Sequence, residues 1–208
     1  MKRLLFILIA TLSVVTLQAK KVKVTIDGTT WPSQTKLYLI INEDTANAQL
    51  LPIKDGKFSV TLKVDRDAFI RLHDYKEWPE RSAFVIIPDS KHITVDMSQG
   101  RIEGSKQSQT LQGICQEIKR ASPEGFHIDV FSDNPEEWRE AMRRGESIRN
   151  GMLEQQKIIA KEQLRENKDN IYAAWIVYCF PELIEGELNA ILDNNPKWAK
   201  HPILHRKK

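Results

Sequence analysis

The stretch Asp55-Gly56-Lys57-Phe58-Ser59-Val60-Thr61-Leu62-Lys63-Val64 decides the fold class. Asp-Gly suits a two-residue hairpin turn, whose central residues take positive φ. The next eight residues alternate, with Phe58, Val60, Leu62 and Val64 on one face and Lys57, Ser59, Thr61 and Lys63 on the other. A period of two marks a half-buried strand. Upstream, Val22-Lys23-Val24-Thr25-Ile26 repeats the alternation, Leu37-Tyr38-Leu39-Ile40-Ile41 is dense enough for an interior strand, and Pro52-Ile53-Lys54 leads into the turn. Downstream come Ala68-Phe69-Ile70-Arg71-Leu72, residues 82–87, His92-Ile93-Thr94-Val95-Asp96 and Gly100-Arg101-Ile102-Glu103. Seven or eight short strands, at roughly ten-residue spacing and split by Gly, Pro and Asp, predict an antiparallel, Ig-like β-sandwich over residues 20–105.

From residue 106 to 208 helix formers replace the alternation. Leu111, Ile114, Cys115 and Ile118 fall at helical spacing between Gln109 and Arg120. Ser132-Asp133-Asn134-Pro135-Glu136-Glu137 is a helix start, with a capping side chain, Pro in the first turn and early acids. The helix runs to about Asn167 on sparse apolar positions, with Gly145 and Gly151 as places where it could break. Residues 170–180 are apolar nearly all round and predict a buried helix too short to span a bilayer. A further helix is expected after Pro181, with Leu183, Ile184, Leu188, Ile191 and Leu192 inward, and residues 196–208 show no clear period. The class is α+β: a strand-rich domain followed by a helical one.

Met1-Lys2-Arg3, an uncharged apolar run from Leu4 to Leu17, and Gln18-Ala19 have the layout of a secretory signal peptide cut after Ala19. The alternative is an uncleaved N-terminal anchor. No Cys lies near the cut to take a lipid, so the expected location is the periplasm or the exterior. Loss of residues 1–19 removes Lys2 and Arg3 and no acid, so 31 basic residues against 28 acidic ones become 29 against 28 and the net charge falls from +3 to +1. A chain so close to neutrality has no long-range field to gather DNA or RNA. The expected partner is an envelope protein or a ligand, with no nucleic acid and no membrane span after cleavage.

The order of these segments is familiar. Asp55-Gly56-Lys57-Phe58 leads an alternating strand, Ile102-Glu103-Gly104-Ser105 closes the strand-rich part, and Asn167-Lys168-Asp169-Asn170 precedes the apolar helix. Over roughly residues 20–200 the chain resembles the Bacteroidota envelope family known as domain of unknown function 4369, a module often found ahead of a thioredoxin-like domain. The resemblance implies the non-catalytic front half of such a protein. It carries no redox activity over, because the chain has no Cys-x-x-Cys, and Lys106-Gln107-Ser108 stands where the family tends to have Asn.

Candidate chemistry is sparse. Cys115 and Cys179 could form one structural disulfide in an oxidising compartment, stabilising by about 4 kcal/mol on loop entropy. The alternative is two buried free thiols. His73 and Asp74, with Glu77 and Trp78 nearby, form the densest polar and aromatic cluster of the strand-rich half. Adjacent strand residues face opposite ways, so His73 and Asp74 converge only where the strand has ended, and a solvated loop is the simpler expectation. Trp31 and Trp78, each beside a Pro, suit a sugar-stacking platform or a partner-docking patch, or else plugs at the ends of the sandwich. Asp65, Asp67, Asp89 and Asp96 read as turn residues, and Ser105, Ser108 and Ser122 lack a nucleophile elbow. No His pairing, zinc spacing or phosphate loop is present, so neither metal nor cofactor is expected. Arg139, Arg143, Arg144 and Arg149, balanced by Glu136, Glu137, Glu140 and Glu146, read as a solvated, ion-paired helix face. The leading expectation is a secreted, non-enzymatic binding module. The alternatives are an accessory to envelope thiol–disulfide chemistry and a carbohydrate-binding sandwich.

Overall fold

The computed structural model describes residues 21–74, 84–194 and 196–205. The signal-peptide expectation for residues 1–19, together with Glu77, Trp78 and residues 82–83, lies outside them. Among the described residues eight strands form two four-stranded sheets. The first has the order β4-β1-β7-β8, from β1 (Lys21–Thr29), β4 (Lys57–Asp65), β7 (His92–Asp96) and β8 (Arg101–Glu103). The second has the order β3-β2-β5-β6, from β2 (Leu37–Ile41), β3 (Gln49–Leu51), β5 (Ile70–His73) and β6 (Phe84–Ile86).

Alternation determines which residues the sheets bury. Val24 and Ile26 of β1, Phe58 and Val64 of β4, and Ile93 and Val95 of β7 join Leu37, Leu39, Ile70, Leu72, Phe84 and Ile86 of the second sheet in one apolar cluster. Asp55 and Gly56 both take positive φ, as the turn before β4 requires. One pairing corrects the all-antiparallel expectation: β1 runs antiparallel to β4 but parallel to β7, with Ile26 opposite Ile93 and Gly28 opposite Val95. Parallel neighbours need a long crossover, and here the chain supplies it by building β2 to β6 between them.

Four helices follow: α1 (Lys106–Arg120), α2 (Pro135–Glu166), α3 (Tyr172–Cys179) and α4 (Leu188–Leu192). Ser105 caps α1, its hydroxyl accepting from the Ser108 N–H at 3.0 Å. Asn134 caps α2 by accepting from the Glu136 N–H at 2.9 Å, with Pro135 opening the helix and Glu136 and Glu137 favouring its positive end. Gly145 and Gly151 do not break α2. Ile128 lies over Gly145, where any Cβ would collide. The helix expected after Pro181 is shortened, because residues 181–187 form turns around Gly186 at φ +89 and only Leu188–Leu192 is helical.

A second apolar cluster joins helices to strands. Leu111, Ile114 and Ile118 of α1, Ala160 and Leu164 of α2, and Ala173 to Ile176 of α3 meet Phe69 and Ile87 at strand ends, with Val85 of β6 packed against them. The C-terminal segment completes it. Trp198 and Ile203 are buried in two short 3₁₀ turns, the Trp198 indole N–H donating to the Lys168 carbonyl. His201 sits 5.0 Å from the Phe69 ring with its Nε2 3.0 Å from the Asp67 carbonyl. No described helix is long and apolar enough to cross a membrane.

Candidate functional site

Trp31 follows the last residues of β1 into a turn held against the Asp55-Gly56 hairpin, where the Thr30 N–H donates to the Gly56 carbonyl at 2.8 Å. Its ring stands 6.0 Å from that of Phe84 at 58° and remains 40% exposed. Opposite lies the β7–β8 turn. Asp96 accepts there from the Ser98 hydroxyl at 2.7 Å and the Gln99 N–H at 3.1 Å, and these bonds hold its carboxyl below the usual value. Helix α1 clamps the same turn, Gln112 donating to the Gly100 carbonyl and Gln109 to the Ile102 carbonyl, each at 2.7 Å.

Between them opens a cavity of about 470 Å³. Trp31, Phe84, Met97, Leu111 and Trp175 give it apolar walls, while Gln99, Gln112, Gln116 and Lys119 contribute polar groups. Trp175 is held from behind by Phe69 at 5.0 Å and Tyr178 at 5.6 Å. Cys115 also lines the cavity. Desolvation pushes its thiol up to about 11, against the opposing pull of the Lys119 charge and a hydrogen bond from Trp175. A thiol protonated at neutral pH is a poor nucleophile and a poor exchange partner. The arrangement offers aromatic surface to stack on, and amides to fix orientation.

A larger hollow of about 890 Å³ lies along the first sheet, bordered by Asp27, Lys54, Lys57, Asp96, Arg101 and Glu103. Its charges alternate in sign, and Arg101 and Glu103 pair with each other at 3.1 Å while both stay exposed. Pro52, Phe58 and Val95 also line it.

The residues singled out from sequence separate in space. Trp31 and Cys115 meet at the cavity, with Trp175 as a partner the sequence reading had assigned only to a buried helix. Cys115 and Cys179 are half-buried and are not joined by the disulfide that the sequence allowed. His73 is 9% exposed at the end of β5, and with the strand finished its Nδ1 lies 3.0 Å from Asp74 Oδ1. Ser105 and Ser108 are structural: they bond each other at 2.5 Å and tie α1 to Ile87, whose N–H donates to Ser108 Oγ at 2.9 Å. Among the described residues no group of three His, Cys, Asp or Glu side chains gathers to hold a metal.

Sequence reasoning missed one buried polar site. Ile70 and Leu72 point into the cluster between the sheets, so Arg71 faces the other way, yet it is only 1% exposed. Its Nε donates to both Glu43 carboxylate oxygens, at 2.8 and 3.0 Å. Tyr178 of α3 hydrogen-bonds Glu43, and burial, with the nearby Glu43 charge, pushes its hydroxyl up to about 12. The signal was an arginine inside an otherwise apolar strand. Compared with protein-family models, curated proteins and solved structures, the chain shows no significant match.

Proposed function

We propose that the chain is an exported, non-catalytic binding module of the bacterial cell envelope, and that the cavity beside Trp31 holds its ligand or a segment of its partner. In this reading the two sheets form an Ig-like β-sandwich, and the chain is a relative of the domain of unknown function 4369 family. The observation that carries the proposal is the cavity itself: aromatic walls, amide-bearing edges, and a volume of about 470 Å³, within the range of small-molecule and peptide side-chain sites. The charged N-terminus with its apolar run, and the near-neutral remainder, support export.

Carbohydrate is the ligand class favoured by a specific feature, the exposed Trp31 ring beside the Gln99, Gln112 and Gln116 amides. A role in thiol–disulfide exchange is disfavoured by the raised Cys115 thiol. Photo-crosslinking tests the assignment, with a benzophenone amino acid at Gln116 beside the cavity or at Lys63 on the far strand. A discrete adduct in the native envelope from position 116, absent at 63 and lost on Trp31→Ala, is expected. Equal adducts from both positions, or none at 116, would remove the cavity as the recognition site.

A further inference from the structure

The start of β1 carries positive charge that the fold does not neutralise. β1 pairs with β4 along its whole length, but β7 joins its other edge only at Thr25, which sits opposite His92. There the Thr25 N–H donates to the Lys91 carbonyl at 2.8 Å. Successive residues of a strand turn their N–H groups to opposite edges. Lys23, two residues before Thr25, therefore turns its N–H the same way, to an edge where no strand is paired with it. A hollow of about 580 Å³ opens at this place, between the start of β1, Arg66 just after β4, and residues 88–91 leading into β7. It shares no lining residue with the cavity beside Trp31.

The charges around it are one-sided. Lys23, Arg66 and Lys91 line the hollow together with His92, and Lys63 stands directly opposite Lys23 in the β1–β4 ladder. Among the described residues, none of Lys23, Lys63, Arg66 and Lys91 is in an ion pair. Like charges set face to face on two strands repel. The neighbouring rows give little relief: the Thr25 and Thr61 hydroxyls bond each other at 3.0 Å, and Asp65 faces Lys21. Asp89, the one acid of the lining, is committed to α1. Its Oδ2 accepts from the Gln107 N–H at 2.9 Å in the first turn, at the positive end of the helix, and its Oδ1 is buried.

We propose that this hollow binds a phosphate monoester between Lys23, Arg66 and Lys91, with Lys63 adding its charge from the next strand. A carboxylate would bring a single negative charge. A phosphate monoester brings about 1.5–2 at neutral pH and three strong acceptor oxygens, enough to meet the three cationic side chains and the Lys23 N–H. Arg66 supplies a planar fork for two of those oxygens, and the lysines act as point charges. All three side chains are exposed, so water and salt screen the site and the affinity is modest.

Two-dimensional ¹H–¹⁵N NMR of the chain without residues 1–19, titrated with glycerol 3-phosphate at neutral pH and fixed ionic strength, tests the site. Shift changes should centre on the Lys23, Thr25, Lys91 and His92 amides with a Kd of about 1–10 mM. Acetate at the same ionic strength should bind about tenfold more weakly or worse. Lys23→Gln and Lys91→Gln should each weaken phosphate binding about three- to fivefold, and together about tenfold or more. Lys54→Gln/Lys57→Gln removes as much charge from the hairpin at the far end of β4 and should leave binding unchanged. Phosphatidylcholine vesicles carrying phosphatidic acid separate the two sources of such a group. Retention on them, lost in Lys23→Gln/Lys91→Gln, assigns a lipid headgroup, whereas glycerol 3-phosphate binding without retention assigns a soluble ester. No response at the hollow to either probe overturns the proposal. So does acetate binding as tightly as the phosphate, or an equal loss in Lys54→Gln/Lys57→Gln.

Discussion

Replacing Arg71 by Met removes a cation from a place where water cannot substitute for it. Arg71 is 1% exposed and its side chain is fixed by two contacts from Nε to Glu43, whose own side chain is 7% exposed. Loss of one partner of a buried pair leaves the other charge uncompensated, at a cost of about 3–5 kcal/mol, whereas an exposed pair is worth about 0–1 kcal/mol. Tyr178 donates a hydrogen bond to Glu43 but brings no positive charge, so it offsets little of that loss. Against a total stability of about 5–15 kcal/mol the effect is large. For a chain of this size it corresponds to a fall in Tm of roughly 6–20 °C. Urea unfolding followed by tryptophan fluorescence and far-UV circular dichroism measures it, with m held constant as the check on two-state behaviour. The double variant Arg71→Met/Glu43→Gln removes both charges and is expected to recover at least half of the loss. A single variant costing under about 1 kcal/mol, or a double variant whose cost is the sum of the singles, would refute the reasoning.

Three further outcomes follow from particular positions. Gly28→Ala puts a Cβ into the Phe58 ring and 2.6 Å from the Val95 carbonyl oxygen, so it should destabilise by about 1–3 kcal/mol in urea unfolding; wild-type stability would show that the strands separate more easily than the packing implies. Cys115, raised from 9.0 to about 11, should react with iodoacetamide at pH 8 about a hundredfold more slowly than an unperturbed thiol. Because the fold favours its protonated form, the linked stability is present below pH 9 and is lost between pH 9 and about 11. Rapid labelling at pH 8 without unfolding would contradict the burial. His201 has its pKa lowered by desolvation, opposed by the bond to the Asp67 carbonyl. The stability linked to its neutral form is present above pH 6.5 and falls away as the pH drops, and its NMR titration midpoint should lie below 6.5. A midpoint at or above 6.5 would place the ring in water.

Much of the fold was legible because its signals are local. The Asp55-Gly56 turn, the alternation in β4 and the Asn134-Pro135 start of α2 each depend on residues adjacent in sequence. What escaped reading depends on distant partners. The parallel β1–β7 pair joins segments more than sixty residues apart, and nothing in either strand specifies the direction of its neighbour. Arg71 is buried where Glu43 and Tyr178 of α3, both distant from it in sequence, come together beside it. The C-terminal turns lack a period because their order comes from Trp198 bonded to the Lys168 carbonyl and His201 set near the Asp67 carbonyl. The candidate site shows the same division. Trp31 and Cys115 were conspicuous singly, but their convergence with Trp175 needed α1 and α3 to be docked on the strands.

Two-dimensional ¹H–¹⁵N NMR of the chain without residues 1–19, titrated with a small-molecule fragment library that includes mono- and disaccharides, tests the recognition cavity most directly. Shift changes should cluster on Trp31, Gly100, Gln112, Gln116 and the Trp175 indole, and should vanish in Trp31→Ala while the rest of the spectrum is preserved. Hits that map instead to the hollow bordered by Asp27, Lys57 and Arg101, or that survive Trp31→Ala unchanged, would contradict the account.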